Sequence, residues 1–431
     1  MDDGRRTIVF FPEGAFGPTN NCVGIGNVLR ERGHRVVFII EESFAGTLEA
    51  RGFEEARMRL QAPAEVEEEP GQFWKDFIRD TAPEFRKPTI DQLESFLAPT
   101  WQALIDGARY VEARLREIYE EVRPDVVVED NVVSFPALPA SEVPWVRIVS
   151  CNPLELKDPD LPPVFAGYPS EDRTGWPEFW AEYDRVLGPI QAEFSAWVEQ
   201  QGAPPLPHRD FIHESRFLNV HVYPAAADYS RSMELGPTWH RLDSCVRAEE
   251  EAYDVPVDGP GALVYLSLGS LGSADVDLMR RLVEVLSGTD HRVVVSKGPQ
   301  HQMFDLADNM VGAEFLPQPS ILPQVDVAIT HGGNNTVTEC LHFGKPMVVL
   351  PLFWDQYDNA QRMEELGWGI RLPTYTFEDH ELVGAIDRLA GDARLRKEMG
   401  QLSRRLQATP GTVTAADLIE GVARTGEPVA R

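Results

Sequence analysis

The sequence is short of cysteine, of positive charge and of long apolar runs. Its 431 residues hold four cysteines, Cys22, Cys151, Cys245 and Cys340, far apart and with no Cys-x-x-Cys pair. That pattern excludes a disulfide framework or a cysteine zinc site as the organising device and fits thiols kept reduced, so a cytoplasmic location is expected. Lysine and arginine number 40 against 69 aspartates and glutamates, a formal net charge of −29. Nucleic-acid backbones need the opposite sign, so DNA and RNA are excluded as partners and the acidity reads as a solubility feature. No apolar stretch approaches a membrane span, and the run in MDDGRRTIVFF is too brief for a signal peptide. No membrane partner is expected, and no internal sequence repeat stands out.

What is there is an alternation of buried strands and amphipathic helices, which means a parallel α/β sheet. Thr7–Phe11 reads as a first strand, Pro12–Pro18 as a glycine-rich loop, and Asn20–Arg32 as a helix closed by Gly33. Arg35–Ile40 is a second strand and Ser43–Gly52 another helix; a long helix follows from about Ile90 to Val122. Val126–Asp130 and Trp145–Ser150 are further strands, the first with an acid at its C-terminal end. Two segments, 61–101 and 153–207, are rich in proline and aromatic rings, and some of those rings are expected to line a cleft for a large apolar molecule. Composition changes near the acidic run at 249–251, and Leu263–Leu268 opens a second α/β series. The length suits two domains: 1–235, a linker at 236–260, and 261–405, with 406–431 as a terminal helix. Residues 424–431 are expected to fray.

The densest stretch is FLPQPSILPQVDVAITHGGNNTVTECLHFGKPMVVLPLFWDQYDNAQ, from Phe315 to Gln361. A short apolar strand runs into His331-Gly332-Gly333 and then into a helix, so unpaired backbone N–H groups meet the positive end of a helix dipole, a site that attracts anions. His331 and Thr336 add side-chain donors, Glu339 a carboxylate near two turns on, and Asp355-Gln356 polar groups suited to sugar hydroxyls. Together they read as a nucleotide-sugar site.

These residues resemble the donor signature of the UDP-glycosyltransferase superfamily, family 1 enzymes of GT-B fold, and especially the bacterial natural-product enzymes. The match consists of Phe315, Pro317-Gln318, His331-Gly332-Gly333, Asn335-Thr336, Glu339, Gly344-Lys345-Pro346, Pro351, Asp355-Gln356 and Asn359-Ala360. The resemblance implies two Rossmann-like parallel-sheet domains facing across a cleft, with the last helix crossing back onto the first domain. It implies that Phe315 stacks on uracil, that Glu339 binds the ribose, and that His331, Asn335 and Thr336 hold the diphosphate, with Ser270 in a turn that contacts it from the opposite side; Gln318, Gly333 and Asn334 are implied as further donor-binding residues. Asp355 and Gln356 would take the hexose, and Phe16, Asn20, Phe73 and Trp74 the acceptor.

The implied reaction is inverting transfer of a hexose, glucose being the expected one, from a UDP-sugar to a hydroxyl or amine of a lipophilic polyketide, macrolide or aromatic molecule. No Asp-x-Asp run lies in a suitable loop, so neither a metal nor any cofactor beyond the UDP-sugar co-substrate is expected. One departure matters. The family's histidine at the start of the first helix is replaced here by Pro18, which carries no proton. Three readings follow: Asp130 serves as base or base-positioner, the acceptor is nucleophilic enough to need none, or the chain binds donor without transferring it. A nucleotide-sugar hydrolase or epimerase of the same fold, and a non-catalytic donor-binding partner, are the alternative classes. The acceptor's identity and the oligomeric state are not legible.

Overall fold

The computed structural model describes residues 4–14, 16–62, 76, 79–248 and 252–431. Phe73 and Trp74 lie outside them, and for Phe16 only the backbone is described.

Seven parallel strands form the first sheet: β1 (Thr7–Pro12), β2 (Arg35–Glu41), β3 (Glu54–Met58), β4 (Val126–Asp130), β5 (Trp145–Val149), β6 (Leu218–Val222) and β7 (Trp239–Leu242). They lie side by side as β3-β2-β1-β4-β5-β6-β7. Six form the second: β8 (Leu263–Ser267), β9 (Arg292–Ser296), β10 (Met310–Ala313), β11 (Val327–Thr330), β12 (Met347–Val349) and β13 (Gly369–Arg371), ordered β10-β9-β8-β11-β12-β13. Every pairing is parallel. The central strands are apolar on both faces, and Ile8, Val9, Phe10, Val127, Val264, Leu266, Ala328 and Val348 are fully buried. That is the signature of sheets covered by helices on both sides.

The covering helices are α1 (Phe16–Glu31), α2 (Ala98–Val122), α3 (Trp176–Gln200), α4 (Val276–Ser287), α5 (Asn334–His342), α6 (Gln356–Glu365), α7 (Asp379–Gly391), α8 (Ala393–Ala408) and α9 (Gly411–Thr425). None of the described helices is long and apolar enough to cross a membrane. In α2, Trp101, Ile105, Ala108, Val111, Leu115 and Ile118 are buried, the three- and four-residue spacing of a helix face against a sheet.

Several sequence expectations are corrected. The helix expected at Ser43–Gly52 is two short 3₁₀ turns, Glu42–Phe44 and Glu49–Arg51, leading into the unforeseen edge strand β3. Residues 239–242, assigned to the linker, form β7. Segment 153–207 contains one 25-residue helix, α3, and its rings build core: Phe165, Trp176, Phe179 and Phe194 are buried. The terminal helix α9 packs on α1, where Glu420 accepts from His34 Nε2 at 2.6 Å and pairs with Arg32 at 3.0 Å. The tail beyond it is tied down instead of frayed: Val429 N donates to Phe217 O and Arg431 N to Pro237 O, each at 2.9 Å.

In both sheets the chain reverses direction across the strand order between its first strand and the fourth in sequence, β1/β4 and β8/β11. Connections leave such a pair on opposite faces and open a crevice at the strands' C-terminal ends. Glu13 follows β1, Asp130 ends β4, Ser270 follows β8 and His331 follows β11. The two crevices face one another, and the site lies between them.

Candidate active site

The cleft between the halves has a volume of about 530 Å³. Its C-terminal wall begins at the β11–α5 turn. Gly332 takes φ 90°, and a Cβ there would stand 2.9 Å from both Gln356 O and Val349 Cγ1, so only glycine fits the turn. Gly333 precedes α5 without capping it by a side chain, which leaves the first N–H groups of the helix without an N-cap side-chain acceptor. His331 is seated by two glycines: a Cβ on Gly333 would lie 2.5 Å from its Nε2, and one on Gly269 2.8 Å from its Cε1. Burial pushes the His331 pKa down to about 4, the Ser267 backbone opposing this to a smaller extent. The imidazole is therefore neutral across the physiological range.

Ser270, His331, Gly333, Asn334, Asn335 and Thr336 all border the cleft, as do Phe315, Gln318 and Glu339 further along it. Phe315 is 50% exposed, a large ring turned outward where most of its kind are buried. Glu339 is buried, with Oε1 accepting from Arg247 Nη1 at 3.2 Å and Oε2 from Gln318 Nε2. Gln318 also reaches Thr336 Oγ1 at 3.5 Å. Arg247 was missed in the sequence; it comes from the connection between the domains.

Asn334, Asn335, Asp355 and Gln356, all expected to face substrate, border the cleft and are also tied into the protein, the first three across the two halves. Asn335 donates its side-chain amide to Gly17 O at 2.8 Å, and Asn334 to Val222 O at 3.2 Å. Asp355 Oδ2 accepts from Asn152 N at 2.8 Å and from Asn359 Nδ2 at 3.3 Å. Gln356 Oε1 accepts from Leu352 N and Phe353 N at 3.0 and 3.2 Å, holding the loop that carries Trp354. Trp354 takes φ 58°, a conformation that costs a non-glycine residue about 1–3 kcal/mol. Its ring lodges between Phe165 and Trp101, with centroids 4.7 and 5.1 Å away.

The N-terminal wall carries Glu13, Gly17, Pro18 and Asn20, and an apolar end formed by Phe44, Phe96, Leu104 and Val132 with Phe353 and Trp354 opposite. Of the two aromatic segments expected here, 61–101 supplies Phe96 and Thr100, and no residue of 153–207 reaches the wall. Asp130, expected as base or base-positioner, stands back from the cleft. It is 3% exposed, does not border the cleft, and accepts from Ser150 Oγ at 2.8 Å. It lies instead on a side cavity of about 20 Å³ shared with Glu13, Pro18, Arg147 and Glu155. Burial is the main cause raising its pKa to about 7, with Ser150 pulling down and Glu13 pushing up.

Glu13 is the residue that sequence reasoning passed over. It borders both the cleft and the side cavity, and its N–H donates to Asp130 O at 2.8 Å. Burial raises its pKa to about 7, and Asp355 across the cleft adds to the rise. The available signal was its place directly after β1, at the C-terminal end of the first strand. Among the described residues, no group of three or more His, Cys, Asp and Glu side chains is arranged to hold a metal ion.

A family profile described as "Erythromycin biosynthesis protein CIII-like, C-terminal domain" matches residues 280–420. The chain is similar to the oleandomycin glycosyltransferase of Streptomyces antibioticus, 26% identical over 421 residues that cover 96% of this chain and 90% of that one. It is also similar to NDP-glycosyltransferase YjiC of Bacillus subtilis (strain 168), 22% identical over 421 residues, 94% of each. The solved glycotransferase of kitacinnamycin superposes with a TM-score of 0.70 at 24% identity, covering 97% of this chain and 98% of that one. The spinosyn rhamnosyltransferase SpnG, solved with thymidine diphosphate, does so with a TM-score of 0.63 at 18% identity, covering 96% and 99%. At such identities the structural likeness establishes the arrangement of the two sheets.

Proposed function

We propose that this glycosyltransferase of GT-B fold belongs to the UDP-glycosyltransferase superfamily and moves a hexose from a UDP-sugar to a lipophilic small molecule. The observation that carries the proposal is the pairing of two walls along one cleft. On one side stand the α5 N-terminus, His331 and Ser270; on the other is an apolar pocket rimmed by Phe96, Leu104 and Trp354. The donor's diphosphate belongs against the first wall, where the helix N-terminus and a neutral imidazole donate to charge that grows as the anomeric bond breaks. Phe315 offers a face for the base, and Glu339 is placed for the ribose hydroxyls. The acceptor belongs at the apolar end, and attack from that side inverts the anomeric centre, giving a β-glycoside from an α-linked donor. Fixing both substrates in one cleft supplies much of the rate by orientation alone.

The similarity of the chain to an oleandomycin glycosyltransferase supports a macrolide or related acceptor. UDP release from UDP-glucose is the test, measured with and without macrolide, phenolic and amine acceptors. Release that depends on acceptor upholds transfer; release without acceptor makes the chain a hydrolase or epimerase. The nucleoside is tested separately by calorimetry. Glu339→Ala should weaken UDP by about 1.5–3 kcal/mol, the worth of hydrogen bonds to a charged acceptor. Tighter binding of dTDP than of UDP to the wild type would remove the ribose role.

A further inference from the structure

We propose that Glu13 is the catalytic base of the transfer, in place of the histidine that position 18 lacks. The inference rests on the transferase reading above. Among the described residues, Glu13 is the carboxylate that the N-terminal half places on the cleft wall, and Pro18 beside it has no proton to exchange. Asp130, the other candidate, is walled off behind Ser150. The buried histidines of this half are engaged elsewhere: His34 with Glu420, His213 with Ser134 and Pro204 O, and His221 with Asp228. His331 borders the cleft from the C-terminal half, at the wall proposed for the diphosphate.

The position of Glu13 is fixed by β1. Pro12 is in register with Asp130 on β4, and the next peptide N–H bonds Asp130 O, so the side chain starts from the end of an interior strand paired on both sides. The ionisable groups around it come from every packed element: Asp130 from β4, Arg147 from β5, Cys151 and Glu155 from the loop after β5, and Asp355 from the opposite domain. Burial first and Asp355 second raise its pKa to about 7. A base so tuned is ionised over the upper half of the neutral range and still strong enough to take a proton.

In the step, the acceptor O–H gives its proton to a Glu13 carboxylate oxygen while the oxygen lone pair forms the bond to the anomeric carbon. The bond from that carbon to the diphosphate breaks, and its electron pair leaves on the diphosphate oxygen. Glu13 returns its proton to solvent after the glycoside departs.

The test compares turnover of UDP-glucose with a macrolide hydroxyl and with 4-nitrophenol above its own pKa, where the phenolate needs no base. For Glu13→Gln, turnover with the macrolide should fall by about 10²–10⁴-fold, turnover with the phenolate far less, and UDP affinity by calorimetry not at all. The wild-type macrolide rate should climb with pH through about 7 and level off as Glu13 ionises. Glu13→Asp should keep a pH limb and recover part of the rate. Macrolide turnover close to wild type in Glu13→Gln, or an equal loss on both acceptors, overturns the base. Wild-type protein that releases no UDP with either acceptor sinks the transferase reading as well, so the two failures are told apart.

Discussion

His331→Ala is expected to lower turnover at saturating donor by about 10²–10³-fold, or 2.7–4 kcal/mol, the loss measured when one preorganised donor to a developing oxyanion is removed. The expectation rests on how the ring is held. Glycine at 269 and at 333 leaves space that a single methyl group would fill, and the imidazole occupies it from both sides. It pays no reorganisation when the diphosphate takes up charge. Being neutral, it would offer its hydrogen to the proposed diphosphate without the desolvation cost of an imidazolium. Its pKa near 4, against an ordinary 6.5, has a consequence for stability. The unfolded imidazole takes a proton first as pH falls, so this group's contribution is present above about 6.5 and is lost toward 4. Gly333→Ala should reproduce part of the catalytic loss by displacing the ring. Turnover of His331→Ala equal to that of wild type at saturating donor would end the assignment.

Asp358→Ala should be the most damaging of the single substitutions between the halves. Asp358 is 1% exposed, and its two oxygens accept from Phe165 N at 2.6 Å and Gly167 N at 2.8 Å. Removing the carboxyl strands two buried N–H groups, each costing about 1–3 kcal/mol, so the loss should be about 2–6 kcal/mol. Glu365 makes the comparable contact at the exposed rim, accepting from Ser170 N and Oγ at 2.7 and 3.0 Å. There water replaces the lost partner, and Glu365→Ala should cost about 1 kcal/mol or less. Urea unfolding of the two variants side by side is the measurement; equal midpoints would show that the Asp358 contacts carry no more than the rim does.

Most of the second sheet was legible because its inner strands are apolar runs, as in Leu263–Leu268 and Val327–Thr330, while the edge strand β10, reading Met-Val-Gly-Ala, was not. The strand β3 was not, because an edge strand reading Glu-Glu-Ala-Arg-Met has no apolar run. β6 hid for another reason: its buried Asn219 is bonded locally to Ser215 and its buried His221 through Nε2 to Asp228, so polar letters stand where apolar ones are expected. The C-terminal wall could be anticipated as a cluster because most of it comes from one continuous stretch. The opposing wall could not, since Glu13, Phe96 and Val132 meet only in the folded chain. The bond from Asn152 N to Asp355 spans 203 positions of sequence, and no local pattern announces it.

The contacts made by α6 and its flanks have one further property. Asp355 and Asp358 read the N–H groups of Asn152, Phe165 and Gly167. Arg362 reads the carbonyls of Ala227 and Asp228, and Arg371 that of Gly167. The C-terminal half thus supplies side chains, while the N-terminal half supplies mostly main chain, which every sequence possesses. Mutation can rewrite many of the N-terminal half's side chains without erasing these main-chain hydrogen bonds, provided its backbone path is kept, whereas Asn152, Tyr223 and Gln92 bond α6 through their side chains. Recombination between relatives should therefore succeed when the crossover preserves that path, and the two halves can diversify at different speeds.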